Sequence, residues 1–417
     1  MKEFDIIIIG AGASGLIAAG HAAEFGKKVL LLEKMERPGR KLAITGKGRC
    51  NITNVVPIYE FINNIKPNGN FLRSSFSQFF NEDVIDFFAR IGIETNVERG
   101  GRVFPVDNKA INVVKKLIAW CISMDVVIKT NTQVTKLLVE DNRVVGVKAK
   151  DRIKKGVFYT YKAQQVLIST GGVSYPATGS TGDGYQLAKA VGHTIIPVQP
   201  SLVPLETKGG ISKELSGLDL RNTHVTVFTD NKKTGEDFGE MSFKDYGVTG
   251  PIILTLSRDI VTSLKEKKNV FLEIDLKPAL NEVKLDNRLL RDFEKYGKET
   301  FRTVLNKLMP MKLIPVCIKQ TQIPESKLCN QINGKERKRL LEWLKQFKIE
   351  VTGFRTFKEA IVTAGGINTN EVNQKTLESK KIKGLFFAGE VLDLDGITGG
   401  YNLQIAFSTG WVAAEYY

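Results

Sequence analysis

Three glycines and one glutamate near the start of the chain have the types and spacing of a dinucleotide-binding site. Gly10, Gly12 and Gly15 follow an isoleucine run at residues 6–9 in the order G-x-G-x-x-G. The first glycine of such a loop allows a tight turn, the second admits a pyrophosphate, and the third lets helix and strand pack closely. Glu33 follows about twenty residues later, where a carboxylate accepts hydrogen bonds from ribose hydroxyls. We therefore predict a dinucleotide site; the alternative is an ordinary βαβ unit with incidental glycines.

The elements that must position these residues can be predicted from the same stretch. The isoleucine run at residues 6–9 predicts a parallel strand that is covered on both faces. Residues 13–25 predict a helix that stops before Gly26, and residues 29–32 predict a second strand. The N-terminus of that helix would present free N–H groups and the positive end of its dipole to the phosphates.

A second loop, residues 39–54, combines glycines with basic and small polar residues. Arg40 and Lys41 carry charges suited to phosphate, since cations form strong hydrogen bonds to phosphate oxygens. The small residues of the loop would allow close approach to a flat ring. The alternative is a solvated basic loop, which we disfavour because residues 50–54 carry no charge.

Three further apolar strands run into glycines later in the chain, at residues 166–172, 360–366 and 385–390. A strand that ends in a glycine turn is where a doubly wound sheet binds its ligand. A last helix is predicted from about residue 402, so that its N-terminus also faces the ligand.

The domain organisation follows from where these strand–glycine units occur. We predict an α/β fold in which residues 1–193 and 356–417 form one Rossmann-like domain. Residues 194–355 would form an inserted substrate or cap domain with a mixed β-sheet and a helical subdomain at about 280–347. Within the insert, residues 223–229 and 270–276 predict strands of a separate sheet, and residues 289–309 and 335–347 predict helices.

Composition and charge bound the class of protein. The 417 residues are 42% hydrophobic and 25% charged, which is typical of a globular protein of two or three domains. Net charge is +15, but the basic residues are spread and no long basic run is interleaved with aromatics, so we disfavour a nucleic-acid partner. No apolar run is long enough to span a membrane and no signal peptide precedes the first strand, so we expect a cytoplasmic protein.

The cysteines and histidines predict neither a disulfide nor a metal site. Cys50, Cys121, Cys317 and Cys329 form no CxxC pair, and with three histidines the chain has no metal-ligand spacing. We expect His21, His193 and His224 to be structural. Cys50 lacks a partner spaced for redox chemistry.

Seven blocks of the sequence together resemble one bacterial flavoprotein family. The blocks are G-x-G-x-x-G at residues 10–15, GRKLAITGKGRCNITN at 39–54, GRVFP at 101–105, TGGVSYPATGSTGDGY at 170–185, PSLVPL at 200–205, VTAGGI at 362–367 and GLFFAGEVLDLDGITGGYNLQIAFSTG at 384–410. They are similar to the FAD-dependent oxidoreductases that include aminoacetone oxidase and the 3-dehydro-bile-acid reductases, often labelled NAD(FAD)-utilising dehydrogenases. One departure is residues 244–247, KDYG, where relatives usually have Thr-His-Phe-Gly.

The resemblance implies an FAD-binding Rossmann-like domain and assigns residues to each part of the cofactor. Ser14, Glu33, Arg40 and Lys41 would hold the ADP half, and the main chain of Val134 would meet the adenine. The ribityl chain and flavin ring would be held by Gly171, Gly172, Gly389, Glu390, Asn402, Leu403 and Gln404. We add as cofactor-binding candidates Gly10, Gly12, Ala13, Gly15, Lys34, Gly48, Arg49, Cys50, Asn51, Thr170 and Gly400. TGDGY also resembles the fumarate reductase flavoproteins, but their flavin-attaching histidine has no counterpart here, so we expect non-covalent FAD.

A bound flavin would carry out the redox step, and the protein would supply position and electrostatics. The chain has one dinucleotide fingerprint, so NAD(P)H would dock transiently, or oxygen would re-oxidise the flavin. We expect the reaction site between the flavin ring and the insert, bordered by Cys50, Asn51, Tyr175 and Tyr401. Asn51, Tyr175 and Tyr401 are the catalytic candidates, with the two tyrosines as proton donors; the alternative is that both are packing aromatics.

Three functions stay open at this point. The first is an oxidoreductase that passes hydride between a small organic substrate and FAD. The second, suggested by charge alone, is a flavoenzyme directed at nucleic acid. The third is a flavin-binding interaction module without a substrate. The sequence leaves open the substrate, the redox direction, the choice of NADH or NADPH, and the oligomeric state.

Overall fold

The computed structural model describes residues 3–415, which divide into two compact units. The first unit contains residues 3–201 and 357–415, and the second contains residues 202–356. The segment Ile195–Ser201, which we assigned to the insert, forms a strand that pairs with Val362–Ile367 inside the first unit.

The secondary structure of the described residues is as follows. The strands are β1 (Glu3–Ile9), β2 (Val29–Leu32), β3 (Thr53–Asn54), β4 (Ile65–Lys66), β5 (Thr95–Glu98), β6 (Arg102–Pro105), β7 (Val127–Lys129), β8 (Thr132–Glu140), β9 (Arg143–Asp151), β10 (Phe158–Ile168), β11 (Ile195–Ser201), β12 (Leu205–Thr207), β13 (Asp219–Thr229), β14 (Lys232–Lys244), β15 (Gly247–Thr249), β16 (Val270–Asp275), β17 (Phe347–Phe354), β18 (Val362–Ile367), β19 (Leu385–Phe387) and β20 (Asp395–Gly396). The α-helices are α1 (Ala13–Glu24), α2 (Ile58–Asn63), α3 (Arg73–Phe76), α4 (Asn81–Arg90), α5 (Ala110–Ser123), α6 (Asp183–Ala190), α7 (Ile211–Glu214), α8 (Pro251–Lys265), α9 (Glu282–Lys295), α10 (Phe301–Leu308), α11 (Leu313–Thr321), α12 (Gly334–Lys345) and α13 (Tyr401–Glu415). Short 3-10 turns lie at Leu42–Gly48, Gly69–Leu72, Pro176–Thr178, Cys329–Gln331, Thr369–Glu371 and Gly389–Val391.

The main sheet of the first unit is built on parallel strands. Strands β7, β2, β1, β10 and β19 pair in that order, all in parallel, and the hairpin β8–β9 extends the sheet antiparallel to β10. The last four residues of β1 and all of β2 are buried, as a sheet covered on both faces requires. The carboxyl ends of β1, β2, β10 and β19 therefore meet at one edge of the sheet, where Gly10, Glu33, Ser169 and Ala388 follow them. This confirms the predicted Rossmann-like α/β domain.

Close helix packing explains the small residues of the first and last helices. A Cβ added at Gly410 of α13 would overlap the backbone of Ser14 in α1, and one added at Gly20 would overlap the ring of Trp120 in α5. The two glycines thus let α1 approach α13 and α5 at backbone distance.

One predicted strand–glycine turn is wrong. We expected the glycines after Ala364 to end a strand of the parallel sheet. Instead Gly365 and Gly366 lie inside β18, which pairs antiparallel with β11 in a separate two-stranded sheet. A Cβ at Gly365 would overlap the Pro197 carbonyl oxygen, so close strand approach explains this glycine.

The second unit is a closed barrel with helices. Strands β12, β15, β14, β13, β16 and β17 close in that order, and each pairing is antiparallel. Residues 223–229 lie in β13, outside the parallel sheet as predicted. The pairing is antiparallel throughout, whereas we predicted a mixed sheet. The sequence could not show this, because apolar alternation predicts a half-buried strand but carries no information on the direction of its partner.

The helical part of this unit has more breaks than the sequence predicted. We expected one helix over residues 289–309, but α9 ends at Lys295 and α10 begins at Phe301. Thr300 caps α10 by accepting a hydrogen bond from the Thr303 backbone N–H. The helix predicted to reach residue 347 ends at Lys345, because Phe347 begins β17 of the barrel. No helix among residues 3–415 is long and apolar enough to cross a membrane.

Candidate functional site

The three glycines of the first loop are required for different physical reasons. Gly10 has φ +100°, and a Cβ there would lie 2.7 Å from the Ser169 carbonyl oxygen. A Cβ at Gly15 would overlap the carbonyl oxygen of Gly10. Gly12 is different: its φ is −84°, which any residue adopts, and a Cβ there would meet no atom within 4 Å. Neither strain nor protein packing requires glycine at position 12, so the open space in front of it fits an approaching pyrophosphate.

The first turn of α1 completes this anion-binding surface. Gly12 is the N-cap of α1 and forms no side-chain cap, and Ala13, half-buried, is the first helical residue. The first helical turn leaves N–H groups without a partner inside the helix. Ser14 is buried next to Gly389, where a Cβ would lie 2.6 Å from Ser14 Oγ. The glycine loop and the carboxyl end of β19 therefore meet here.

Glu33 lies at the carboxyl end of β2, beside the glycine loop. Its carboxylate accepts hydrogen bonds from the backbone N–H groups of Ala11 (2.9 Å) and Met35 (2.8 Å). Burial raises the pKa of Glu33, and these hydrogen bonds oppose the rise. Val134, buried on β8, is close in space because the neighbouring Thr132 N–H bonds the Glu33 carbonyl at 2.9 Å. Glu33 therefore lies beside the start of β8, the strand that carries Val134.

Lys34 ties the end of β2 to the TGDGY segment. Its Nζ donates to Thr181 and, at 3.0 Å, to Asp183, which also accepts from Gln133 at 2.9 Å. Burial alone would raise the pKa of Asp183, but its hydrogen bonds from Thr181 and Lys34 outweigh burial and lower it. Lys34 is thus engaged in an ion pair within the protein.

Arg40 of the second loop is only partly neutralised by the protein. Arg40 donates from Nη2 to the Ala177 carbonyl at 3.1 Å and from Nη1 to Glu36. Its Nε is buried and has no hydrogen-bond partner in the structure of residues 3–415. Buried N–H groups normally have a hydrogen-bond acceptor, so this guanidinium N–H is suited to bind an anionic ligand.

Lys41 belongs to a polar network that joins four segments of the chain. Its Nζ donates to Ser174 Oγ and to Glu390 Oε2, both at 2.6 Å. Glu390 Oε1 also accepts from Ser174 Oγ at 2.8 Å and from the Thr363 N–H at 2.9 Å. The resemblance places Lys41 with the ADP half and Glu390 with the flavin half, whereas the structure joins them directly. We name Lys41, Ser174, Thr363 and Glu390 the central network.

The central network also fixes the glycine turn after β10. Thr363 Oγ1 accepts from the N–H groups of Val173 (2.9 Å) and Ser174 (3.1 Å). A Cβ at Gly172 would overlap Thr363 Oγ1, and Gly171 has φ +70°. Close packing and a left-handed backbone therefore require these two glycines. Ser174 and Thr363 were missed from the sequence because neither is charged and nothing in the spacing pairs them.

The 48–51 segment is held rigidly beside the N-terminus of α13. With its amide oriented to satisfy hydrogen bonding, Asn51 donates to the carbonyls of Val103 and Thr53 and accepts from the Gly400 N–H at 3.0 Å. A Cβ at Gly400 would overlap the Thr53 carbonyl. Gly48 has φ +87° and open space around it. Asn51 therefore positions two glycine-containing segments against each other.

The thiol of Cys50 does not act as an acid or nucleophile near neutral pH. Cys50 is fully buried with φ +63°, and burial raises the pKa of its thiol to about 12. Arg49 is directed elsewhere: it stacks 4.1 Å above the Phe104 ring, pairs with Glu98 and donates to Asn108 at 2.7 Å. Its charge is neutralised inside the protein.

The N-terminal turn of α13 carries the remaining predicted cofactor residues. Asn402 closes a turn by accepting from the Gly396 N–H at 2.9 Å and donating to the Gly396 carbonyl at 2.8 Å. Leu403 is half-buried. Gln404 is fully buried, and its amide nitrogen donates to Ser408 and to the Phe79 carbonyl. The amide hydrogens of Gln404 are therefore used within the core.

The two candidate tyrosines differ in their surroundings. Tyr401 is 4% exposed, its ring lies 4.2 Å from that of Phe61, and its hydroxyl accepts from Asn64 at 3.3 Å. Burial raises the pKa of Tyr401. Tyr175 is half-buried with φ +51°, and its hydroxyl forms no hydrogen bond within the described part of the chain. These contacts favour packing for Tyr401 and leave Tyr175 as the better candidate.

Two histidines are held by packing and hydrogen bonds. His21 stacks on Trp411 at 3.4 Å between Glu24 and Glu415. His193 is buried, with Nδ1 3.1 Å from Glu371 and Nε2 2.8 Å from Ser379 Oγ. The Ser379 hydroxyl also accepts two backbone N–H groups, from residues 381 and 382, so it fixes a turn.

Comparisons with known proteins agree with this geometry. The family model described as HI0933-like protein Rossmann domain matches residues 4–416. A 3-dehydro-bile acid delta(4,6)-reductase of Clostridium scindens is 32% identical over 410 residues, which is 98% of this chain and 97% of that protein. A ribosomal RNA dihydrouridine synthase of Escherichia coli is 30% identical over 421 residues, 100% of this chain and 98% of that protein.

A solved structure shows the same fold at low sequence identity. The 3-ketosteroid delta1-dehydrogenase from Sterolibacterium denitrificans, in complex with 1,4-androstadiene-3,17-dione, gives a TM-score of 0.52 at 13% identity and covers 99% of both chains. At this identity the likeness concerns the fold alone.

Fold, glycine loop and comparisons together define an FAD-dependent oxidoreductase. The chain belongs to the HI0933-like Rossmann family. The predicted family resemblance and the predicted cofactor, FAD, are confirmed. The roles of individual site residues stay predictions.

Proposed function

We propose that this protein is a reductase that saturates an electron-poor carbon–carbon double bond in its substrate. The observation that carries this proposal is the full-length similarity to two proteins whose names denote reduction of such bonds. One is named for reduction of delta(4,6) bile acids and the other for forming dihydrouridine. In a delta(4,6) steroid with a 3-keto group, and in uracil, the double bond is conjugated to a carbonyl group, so the chemistry proposed for this chain is addition of two hydrogens to such a bond.

When bound and reduced, FAD would supply a hydride to one carbon of the double bond while a proton reaches the adjacent carbon, so two electrons leave the flavin. The residues of this chain would bind and orient the cofactor for that transfer. Gly12 and the N-terminus of α1 would receive the pyrophosphate, and Glu33 the ribose. The central network would hold the turns at Gly172 and Gly389 in one fixed geometry, because its groups hydrogen-bond one another.

Tyr175 is the proton donor we propose. It follows the glycine turn after β10 and is half-buried, and its hydroxyl is not committed to another described residue. Asn51, by contrast, has no acidic proton and would position the segments on which the flavin lies. Choice of substrate by the second unit stays a prediction from the sequence.

The source of electrons is proposed to be NADH or NADPH that docks transiently. The chain has one G-x-G-x-x-G fingerprint, which the FAD would occupy, so a nicotinamide cofactor would have no second permanent site of this type. Oxygen would then be a slow oxidant of the reduced flavin rather than the physiological acceptor.

Two substrate classes remain as candidates. The first is a small organic molecule with a conjugated double bond, as in the reductase of Clostridium scindens. The second is a uridine base within RNA, favoured by the net charge of +15 and by the similarity to the dihydrouridine synthase. A substrate-free flavin module is disfavoured because both relatives are named as enzymes.

Product analysis tests the proposal. The purified protein with FAD and NADH or NADPH is incubated with a conjugated steroid acid and, separately, with unmodified ribosomal RNA. We expect one of the two to gain two hydrogen atoms, detected by mass spectrometry of the steroid or of the digested nucleosides. Consumption of NAD(P)H with formation of hydrogen peroxide and no reduced product in either reaction would contradict the proposal.

A further inference from the structure

The excess positive charge of the second unit is concentrated in its helical part. Residues 280–345 contain 15 Lys and Arg against 8 Asp and Glu, whereas residues 202–279 contain 11 against 12. Residues 202–279 are therefore close to neutral, and the excess comes from residues 296–345, because α9 itself holds four basic and four acidic residues. What distinguishes α9 is where its basic residues lie.

Four of these basic residues form one stripe along α9. Lys284, Arg288, Arg291 and Lys295 follow at intervals of four, three and four residues, which places them on one face of a helix. The stripe is about 16 Å long at about 1.5 Å of rise per residue. The other face of α9 carries its buried residues, Leu285, Leu289 and Phe293. We name the four side chains the α9 basic stripe.

The charges of this stripe are poorly neutralised. Arg288 reaches Asp292 at 3.6 Å, but Lys284 and Arg291 form no ion pair with any residue in the described range 3–415. Lys295 lies 5.2 Å from the centre of the Tyr296 ring, and Lys307 of α10 lies 4.3 Å from the same ring. The positive surface thus continues from α9 to α10.

A shallow cleft runs along the first part of the stripe. It has a volume of about 600 Å³ and is lined by Leu280, Lys284, Asn287, Arg288 and Arg291. Lys277 lies nearby: burial lowers the pKa of its ammonium group, and the positive charge of Arg288 lowers it further. The lining offers three cations and an amide, a set suited to phosphate oxygens and a sugar edge.

We propose that the α9 basic stripe docks the phosphate backbone of a structured RNA. The inference rests on the second substrate class proposed above and gives it a binding surface. Successive basic side chains that rise about 4.5–6 Å along a helix can reach successive phosphates of one strand. A membrane surface fits less well, because Leu285, Leu289 and Phe293 are buried in the subdomain and leave only Val283 among the large apolar residues of α9 exposed for insertion into a bilayer.

The experiment compares two triple variants of the full-length FAD-containing protein. The first replaces Lys284, Arg288 and Arg291 with glutamine. The matched control replaces the exposed lysines Lys232 and Lys233 of β14 and Lys267 of the turn after α8 with glutamine, so both variants lose three positive charges. Binding of a fluorescent ribosomal RNA fragment is measured by anisotropy over a range of salt concentrations.

We expect the stripe variant to bind RNA about 10–100-fold more weakly than wild type at low salt, with a salt dependence shallower by about two released counterions. The control should change affinity by less than about threefold. The single charge reversal Arg291→Glu should also weaken binding, and this exposed residue has no partner whose loss would disturb folding.

Equal RNA affinity of the stripe variant and the control would overturn the proposal. So would a loss that appears only with vesicles containing phosphatidylglycerol. The flavin absorbance of each variant and its reduction by NAD(P)H report separately on the redox function. A failure of RNA docking is therefore distinguishable from a failure of the proposed reductase activity.

Discussion

At the scale of single residues, glycine is needed at different positions of the first loop for different reasons. A Cβ at Gly10 would collide with the Ser169 carbonyl oxygen, and a Cβ at Gly15 would collide with the Gly10 carbonyl oxygen. Gly12 has an ordinary φ and no neighbour within 4 Å of a Cβ. The same residue type thus serves packing at two positions, and we propose that it serves a ligand at the third.

Replacing Gly12 with alanine should weaken FAD binding while the fold is kept. The added methyl group would meet the pyrophosphate, which costs about 1–3 kcal/mol of binding, or about 5–150-fold in affinity. The stability of the FAD-free protein should fall by less than about 1 kcal/mol. Equilibrium titration with FAD and chemical denaturation measure the two effects.

Gly15→Ala is the contrasting variant. A Cβ at position 15 would overlap the Gly10 carbonyl oxygen, so this substitution should destabilise the FAD-free protein itself. If Gly12→Ala and Gly15→Ala lose stability equally, the separate reasons given for the two glycines are incorrect.

The two tyrosines give a second prediction at this scale. If Tyr175 donates the proton, Tyr175→Phe should lower the rate of substrate reduction by about 10²–10⁴-fold and leave flavin reduction by NAD(P)H unchanged. Tyr401→Phe is the matched control, since the Tyr401 ring packs on Phe61 and, among residues 3–415, its hydroxyl bonds only Asn64. Stopped-flow measurement of the two half-reactions checks this; similar rates for both variants would remove Tyr175 from the mechanism.

At the scale of elements, the parallel core could be predicted from sequence, but several boundaries could not. The isoleucines of β1 followed by Gly10 predict strand, turn and helix, because burial and backbone geometry act locally there. The break between α9 and α10 depends on the Thr300 cap and on Cys329, whose N–H bonds the Glu299 carbonyl from about thirty residues away. The central network was missed for the same reason: Lys41, Ser174 and Glu390 come from segments that only the fold brings together.

The Glu371 carboxylate links the Thr369–Glu371 turn to β11. It accepts from the Thr194 N–H (2.9 Å) and hydroxyl (2.7 Å) and from Lys381 (2.7 Å). Burial alone would raise the pKa of Glu371, but these hydrogen bonds outweigh burial and lower the pKa to about 2. A carboxyl whose pKa is lowered by folding stabilises the native state above its unfolded pKa of about 4.3.

Glu371→Gln should therefore destabilise the protein by about 1–2 kcal/mol at neutral pH. This value is smaller than the full pKa shift of Glu371 would give, because its partner Lys381 is partly exposed and solvent screens the ion pair. The cost should shrink as pH falls from about 4.3 towards about 2, since wild type loses the same stabilisation over that range. Urea denaturation of both proteins across this range measures it. A stability difference that does not change with pH would show that the charge is not responsible.

At the scale of the whole molecule, the chain combines a unit for flavin chemistry with a basic, barrel-containing unit. The first unit carries the glycine loop, Glu33 and the central network. The second carries the α9 basic stripe in its helical part, and its strands form an antiparallel barrel. The overall charge of +15 was visible in the sequence, but the placement of four basic residues on one face of α9 follows only from the bounds of that helix.

We propose that the flavin of this protein reduces a conjugated carbon–carbon double bond. The most direct test is anaerobic mixing of the photoreduced FAD-containing protein with a conjugated steroid acid or with uridine-containing RNA, while the visible absorbance of the flavin is followed. We expect that one of these substrates restores the oxidised flavin spectrum without oxygen, with one double bond reduced per flavin. Reduced flavin that stays reduced with both substrates and is re-oxidised only when oxygen is admitted would contradict it.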